Sequence, residues 1–563
     1  MAKLKPRIWV CDFETTTGAV STSHTHVWCW AAISLDTNKD IVGQNIAQFI
    51  DFIQVACDKI YFHNLKFDGQ FIIDFLLKNG WVYDDSDKPQ PNSFSILRSS
   101  RGVMYSIDIR LKRRTIHIWD SLKKIPCSVD AMAKSYKIPM RKLKIDYDAF
   151  RSENHELTDE EREYVLTDCR IVAEVLKFML DQGKKKMTVG SDALEDWKST
   201  VNIKKIKDIL PQLSDEEDEF IRKAYKGGFT WVSPEYQNQD VGEGVVYDNN
   251  SMHPSQMYNK IMPYGKPEYF IGEGHENTMY PLFVQHLIIS AKIKPKHIPC
   301  ISSRKAFSTV DAEYLTEVSD MELYVTNIDL QLIKDQYDIS YIEYIDGYYF
   351  KGIPDDKNIF RAFIDKWMQI KATSTGAIRQ LAKLMLNNLY GKFGTRIHQF
   401  SSEPYLDENG VVKYRLSDKP STAKAVYLPI AVFVTSYSRD TVIRAGQAVY
   451  DRLLYIDTDS LHLLGFSEPS NIDIDESAIG KWKEETKFAR ARFLRPKRYI
   501  EETYTDEQYT DTYLKVTCGG MPAAVKQKVT WENFHAGTTY TGKLVPKAVN
   551  GGLILTETTF EMK

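Results

Sequence analysis

The 563-residue sequence predicts an α/β protein of several domains. Three observations lead there. At ~150 residues per domain, the length makes room for about four. Apolar β-like runs such as "IWVCDFET" and "GEGVVYD" alternate with long patterns of helical period such as "EEREYVLTDCRIVAEVLKFML". Breaks rich in Gly, Pro, Lys or Asp fall at 181–192, 261–267, 351–358 and 408–424, the last with the pattern of a small hairpin. No internal repeat or low-complexity segment interrupts this order.

Composition narrows the class. With 43% hydrophobic, 12% aromatic and 26% charged residues the chain reads as globular, which excludes disordered and collagen-like proteins. No run approaches the ~18 apolar residues of a membrane span, and "MAKLKPRIWVCDFE" has no apolar core for a signal peptide, so neither membrane nor export is expected. Seven scattered cysteines, none spaced Cys-x-x-Cys, predict neither a disulfide framework nor a zinc site, and fit a reducing compartment. The net charge of -3 conceals two basic stretches: 357–396 has eight Lys or Arg against Asp365, and 481–498 has eight against Glu484 and Glu485.

The first element, "IWVCDFETTT", places Asp12 and Glu14 two apart on one face of a strand, ahead of a Thr/Gly-rich turn. Next, "IYFHNLKFDGQFII" is a strand, then a loop with His63, Asn64, Phe67 and Asp68, then an apolar helix expected from Phe71. In "LTDEEREYVLTDCRIVAEVLKFMLDQG", Thr158 and Glu161 form a capping box and Gly183 supplies the stop. Tyr164 and Asp168 share a helical face, with Leu166, Cys169, Val172, Ala173 and Leu176 covering the buried side. Alone, Asp168 reads as a surface charge. Four acids and this tyrosine together suit a pair of cations about 3.5–4 Å apart, with the phenol orienting an attacking water.

Farther on, "GEGVVYDNNSMHPSQMYN" ends an apolar run at Asp248 and turns through Asn249, Asn250 and Ser251. "LLYIDTDSLHLL" then presents Asp457 and Asp459. As a strand, it would set both carboxylates on one face, where like charges call for a cation. As a turn, Asp and Ser would bond their own backbone, and the local residues allow either. With Asp248 the carboxylates number three, enough for two divalent ions whose shells substrate phosphates complete, an arrangement Mg²⁺ prefers. Between these segments, "STGAIRQLAKLMLNNLYGKFG" predicts a helix ending at Gly391 with Arg379, Lys383 and Asn387 on one stripe. That stripe is either solvated surface or, facing a metal site, a clamp for a triphosphate.

In this order, "DFETT", "HNLKFD" and "YxxxD" resemble the DEDDy-type 3′-5′ exonuclease domain of DNA polymerases. "DNNSMHPSQMY", "KLMLNNLYGKFG" and "YIDTDS" resemble motifs A, B and C of B-family DNA polymerases. "YKGGFTW" (225–231), "TSYSR" (435–439) and "RPKRY" (495–499) are similar to motifs of the protein-primed bacteriophage branch. The resemblance covers essentially the whole chain. It implies an RNase H-like exonuclease domain at 1–187, then a right-hand polymerase with palm (188–260 and 428–530), fingers (357–394) and thumb (531–563). It also implies two insertions, 261–356 contacting a terminal protein whose hydroxyl primes synthesis, and 395–427 encircling DNA and aiding strand displacement.

By the same resemblance, Asp12, Glu14, Asp68 and Asp168 hold two ions in the exonuclease, helped by Tyr164 and by Lys142, with Lys144 as the alternative lysine. His63, Asn64, Phe67, Ser121 and Leu122 would hold the single-stranded primer end. Asp248, Asp457 and Asp459 would hold two Mg²⁺, or Mn²⁺, for attack of a primer hydroxyl on a dNTP. Ser251, His253, Lys371, Arg379, Lys383, Asn387 and Tyr390 would line the dNTP site. Thr435, Arg439, Lys497 and Tyr499 would hold the primer strand, and Tyr225, Gly227 and Gly228 the template. The implied enzyme replicates a linear phage-type genome as a monomer in the bacterial host cytoplasm, with DNA and terminal protein as partners.

Three positions depart from the family pattern. His253 stands where tyrosine is usual, a smaller ring able to titrate near neutral pH, which puts ribonucleotide rejection in question. Asn388 replaces serine and Arg379 replaces lysine, with polar or cationic character kept. A reverse transcriptase would place two aspartates adjacent after its tyrosine and lack the N-terminal set. A stand-alone nuclease or a non-catalytic scaffold would have no use for both acidic sets.

Overall fold

The computed structural model describes residues 6–18, 20–141, 143–146, 149–201, 203–303, 314–418, 420–422 and 426–562. Its N-terminal unit is an eight-stranded mixed sheet in the spatial order 40–43, 27–34, 8–15, 59–62, 115–120, 104–110, 93–98, 82–83. Strand Ile8–Thr15 runs antiparallel to Val27–Ser34 and parallel to Lys59–Phe62. Its alternation assigns the two faces. Trp9, Cys11 and Phe13 enter a core with Phe49, Phe62 and Phe71, while Val10 joins Tyr164, Val165 and Val172. Asp12 and Glu14 share Val10's parity and so face helix Asp159–Asp181.

That helix starts at the expected capping box. Thr158 Oγ1 accepts from the Glu161 amide at 3.2 Å, and Glu161 Oε2 accepts from the Thr158 amide at 3.0 Å. It ends two residues before Gly183, whose φ of 74° suits glycine. Tyr164 and Asp168 are both buried against the sheet, so the helix is enclosed on that side too. The second helix, Leu65–Lys78, begins six residues before the expected Phe71. Asp120, from a neighbouring strand, accepts the Asn64 amide at 3.0 Å while Asn64 adopts a left-handed φ of 80°. A tertiary contact therefore sets this start, and it places Asp68 in the first turn.

The second large sheet is antiparallel, in the order 512–518, 498–504, 482–495, 244–249, 460–464, 453–457, 230–232, with 240–241 also paired to 482–495. The buried helix Leu428–Gln447 packs against it and against helix Gly376–Phe393. The latter runs past Gly391 to Phe393, because Phe393 packs edge-on at 5.3 Å against Trp197, which stacks on Phe360 at 5.6 Å. Residues 261–356 include a separate four-stranded antiparallel sheet, ordered 263–271, 337–352, 282–293, 317–326. The hairpin expected over 408–424 forms from Ser402–Leu406 and Val412–Leu416, one strand earlier.

The chain closes on itself at its end. Hairpin Thr539–Val549/Gly552–Glu561 meets the N-terminal unit where the Thr25 amide donates to Asn550 O at 2.9 Å and Lys78 Nζ to Asn550 Oδ1 at 2.8 Å. The 402–416 hairpin meets it too. There Tyr414 Oη donates to Gln70 Oε1 at 2.6 Å beneath the Arg98 guanidinium, 3.8 Å from its ring. Among the described residues, no helix is long and apolar enough to cross a membrane.

Two candidate active sites

The N-terminal cavity, about 300 Å³, lies at the carboxyl end of strand Ile8–Thr15. Asp12, Glu14, Asp68, Tyr164 and Asp168 all line it. Three of the four carboxylates are buried, with Asp12 half-buried. Burial, then the charges of Asp12 and Glu14, push the Asp68 carboxyl well above the usual carboxylate range. Such a set suits cations as counter-charge.

Asn64 and Phe67 line the same cavity from the loop and first turn, the Phe67 ring 5.7 Å from Phe71. His63 lines it with both nitrogens engaged, Nε2 with Cys127 O at 2.7 Å and Nδ1 with Ser121 Oγ at 3.0 Å. Burial lowers its pKa, so Nε2–H donates to the carbonyl and the ring is neutral at pH 7. Ser121 departs from its expected strand contact: it has no exposed surface, and its Oγ also lies 3.0 Å from Phe62 O, so it holds His63 from behind. Leu122 is half-buried, its amide taken by Asp120 at 2.9 Å. Lys142 lies outside the described residues; Lys144 is exposed. Leu555, from the C-terminal hairpin, also lines the cavity, which no local sequence signal announces.

At the second site, "YIDTDS" is strand, turn and strand. Asp457 pairs with Ser460 across Thr458 and Asp459, and Thr458 has a φ of 65°. Of the two conformations the sequence allows, the turn is the one formed, so Asp457 and Asp459 do not share one strand face. The turn and the acidic cluster are one feature. The Asn249 amide donates to Asp459 O at 2.8 Å, and Asp248 pairs with Ser460, which brings the third carboxylate alongside. Burial, then Asp248 and Asp457, raise the Asp459 carboxyl to about 7. Lys483 Nζ stands 3.4 Å from Asp248, and Lys497 pairs with Asp457. Two ammonium groups thus balance part of the charge of this acidic cluster. Among the described residues, neither acidic set brings three ligand atoms within 4.8 Å of one another.

The cations converge beside these acids. Burial, then Lys383, Lys483 and Arg379, lower the Lys371 pKa. Lys371 Nζ donates to Ser251 Oγ at 3.1 Å, and Arg379 Nη1 to Lys371 O at 2.6 Å. His253 stacks on Tyr390 with centroids 4.1 Å apart and planes within 2°. Burial lowers His253 to about 4, so the neutral-range titration expected of it does not occur. Burial and the Asp459 charge raise the Tyr390 phenol. Asn387 is exposed on the same helix.

Gly228 backs the turn directly: a Cβ there would lie 2.6 Å from Thr458 Cγ2. Tyr225, one turn of loop before it, is half-buried, its phenol pushed up to about 12 by burial and by Tyr390. Three residues expected on the primer strand lie inside instead. Arg439 is 5% exposed. It binds Asp329 at 2.7 and 3.0 Å and donates to the carbonyls of Lys226 and Gly227 at 3.1 and 3.0 Å, which fixes the Tyr225–Gly228 loop. Thr435 is buried and donates to carbonyls of its own helix, as a hydroxyl on an enclosed helix must. Tyr499 packs against Tyr455 and His462, and Tyr455 Oη accepts the Lys497 amide at 2.8 Å. Lys497 alone of the four keeps an exposed head. Lys483, Asp329 and the buried His462–Glu501 pair, 2.6 Å apart, escaped the sequence reading because each acts through a partner distant in the chain.

Three carboxylates on an antiparallel sheet, opposite a cationic helix, form the arrangement of a nucleotide-polymerising enzyme. The chain belongs to the type B DNA polymerases, organellar and viral, a family that matches its residues 52–157 and 150–478. It is 39% identical to the DNA polymerase of Bacillus phage phi29 over the full length of both. It is 32% identical to that of Streptococcus phage Cp-1 over 98% of each chain. The solved structure of the phi29 DNA polymerase complexed with primer-template DNA superposes on 99% of this chain and 100% of that one, with a TM-score of 0.93 and 39% identity. Its ternary complex with incoming nucleotide substrates gives 0.92 over the same coverage.

Proposed function

We propose that this DNA polymerase copies a linear phage-type genome from a protein primer, displaces the non-template strand, and proofreads with a 3′-5′ exonuclease. The observation that carries the reading is the second site, where Asp248, Asp457 and Asp459 meet across adjacent strands beside Lys371, Arg379 and Lys383. Two Mg²⁺ ions per site would lower the pKa of the attacking oxygen and stabilise the leaving one. Lys371, Arg379 and Lys383 neutralise the triphosphate, His253 and Tyr390 form a flat wall for the incoming nucleotide, and Lys497 reaches toward the primer phosphate. Gly228, held by the Arg439–Asp329 pair through its loop, sets the turn that carries Asp459.

In the N-terminal cavity, Asp12, Glu14, Asp68 and Asp168 are the metal-holding acids, Tyr164 orients water, and Asn64 and Phe67 hold the strand end, Phe67 by stacking worth about 1–3 kcal/mol per base. The domain plan is exonuclease 1–187, palm 188–260 and 428–530, fingers 357–394, thumb 531–563, with 261–356 meeting the terminal protein and 395–427 closing round DNA. The protein works as a monomer in the host cytoplasm. The phi29 polymerase's complexes with primer-template and single-stranded DNA support the DNA partner. A labelled primer-template with Mg²⁺ tests the reading: extension with dNTPs and shortening without them are expected. Loss of both would overturn it, and unchanged activities in Asp459→Ala would assign the chain as a nuclease alone.

A further inference from the structure

The geometry points to a further cation site, built from residues that belong to neither acidic cluster: His24, His26 and Glu153 form a site for a borderline divalent ion of the Zn²⁺ class. Among the described residues, this is the one group of three His, Cys, Asp or Glu side chains whose ligand atoms lie within 4.8 Å of one another. The imidazole centroids are 6.1 Å apart. Around a tetrahedral ion at 2.0–2.1 Å, donors sit about 3.3 Å from each other, so the triad needs to contract by about 1.5 Å at most. The side chains of His24 and Glu153 are exposed, which leaves solvent space for that movement.

The backbones that carry the three donors are already held. The His26 amide donates to Thr16 Oγ1 at 3.1 Å. His26 Nε2 donates to Arg151 O at 2.8 Å, which leaves Nδ1 as the ring's lone-pair nitrogen, the arrangement a ligating histidine uses. His24 is fixed on both sides, by Ser21 Oγ at 3.2 Å and by the Thr25 amide's bond to Asn550 O. Glu153 lies between two residues that grip one carboxylate: Arg151 Nε reaches Glu161 Oε1 at 2.6 Å and His155 Nε2 reaches Oε2 at 2.9 Å. Two imidazoles and one carboxylate select a Zn²⁺-like ion over Mg²⁺, which prefers all-oxygen shells, with a fourth position left for water. Bound there, the ion staples the loop after strand Ile8–Thr15 to the loop before helix Asp159–Asp181, at the point where the C-terminal hairpin docks.

Co²⁺ serves as the probe, added to full-length protein stripped with chelator and then saturated with Mg²⁺ to fill the oxygen sites. An intense visible absorption band of tetrahedral Co²⁺, saturating at one ion per chain and displaced by Zn²⁺, is expected. In His24→Ala and in Glu153→Gln the Co²⁺ affinity should fall at least 10-fold, with Mg²⁺-supported extension and shortening unchanged. As a second readout, Zn²⁺ should raise the melting temperature of the wild type and not of the His24→Ala/His26→Ala double variant. No intense band, or a band that survives in the double variant, overturns the assignment.

Discussion

Asp459→Asn separates the electrostatic cost of the second site from its chemistry. In the metal-free protein, burial and the neighbouring Asp248 and Asp457 hold the Asp459 carboxyl at about 7 against an ordinary 3.8. Three pH units at about 1.4 kcal/mol each set an upper bound of about 4 kcal/mol, and the side chain's residual solvent contact brings the expectation to about 2–4 kcal/mol. The folded state holds this proton more tightly than the unfolded chain. Its contribution therefore leaves stability intact below pH 4, erodes it as pH rises to 7, and is constant above. Asparagine carries no charge, so the variant lacks that erosion. In urea titrations with EDTA, the variant should be more stable than wild type at pH 8 by this amount, and equal to it near pH 4. Saturating Mg²⁺ should close the gap at pH 8 by stabilising the wild type, while the variant loses extension. A difference between the two proteins that does not change from pH 4 to 8 would refute the reasoning.

Three further outcomes are expected. Gly228→Ala must move the Thr458 turn, since its Cβ would lie 2.6 Å from Thr458 Cγ2; extension should drop at least 10-fold in a primer assay with exonuclease rate retained. Asp68→Asn should abolish primer shortening and leave extension intact, and equal loss of both would show that the two acidic sites are not separate. His253→Tyr should raise selectivity for dNTPs over rNTPs, measured as the ratio of kcat/KM values, because a longer ring stacked on Tyr390 reaches farther under the sugar; an unchanged ratio would remove His253 from sugar discrimination.

Much of the site was written in short range. The capping box at Thr158 and Glu161, the parity of Asp12 and Glu14, and the helical spacing of Tyr164 and Asp168 depend on periodicity and local hydrogen bonds, so they survive folding unchanged. Motif order added the pairing of Asp248 with Asp457 and Asp459. What the residues could not decide locally was the conformation of "YIDTDS", because a two-residue spacing fits both a strand face and a tight turn. Thr458 adopts a positive φ only because its amide donates to Phe229 O at 2.7 Å and Gly228 leaves room for its side chain.

The same division runs through the strand-contact residues. The family resemblance implies that Arg439, Thr435 and Tyr499 hold the primer strand, yet burial of helix Leu428–Gln447 and the Tyr455 cluster turns them inward. His253 shows the contrast in one residue. Sequence alone determined that an imidazole stands at this place in the second site, and that it can stack. Only the tertiary structure decided its charge: packed against Tyr390 and out of water, the ring cannot pay for protonation, so it meets the nucleotide as a neutral surface.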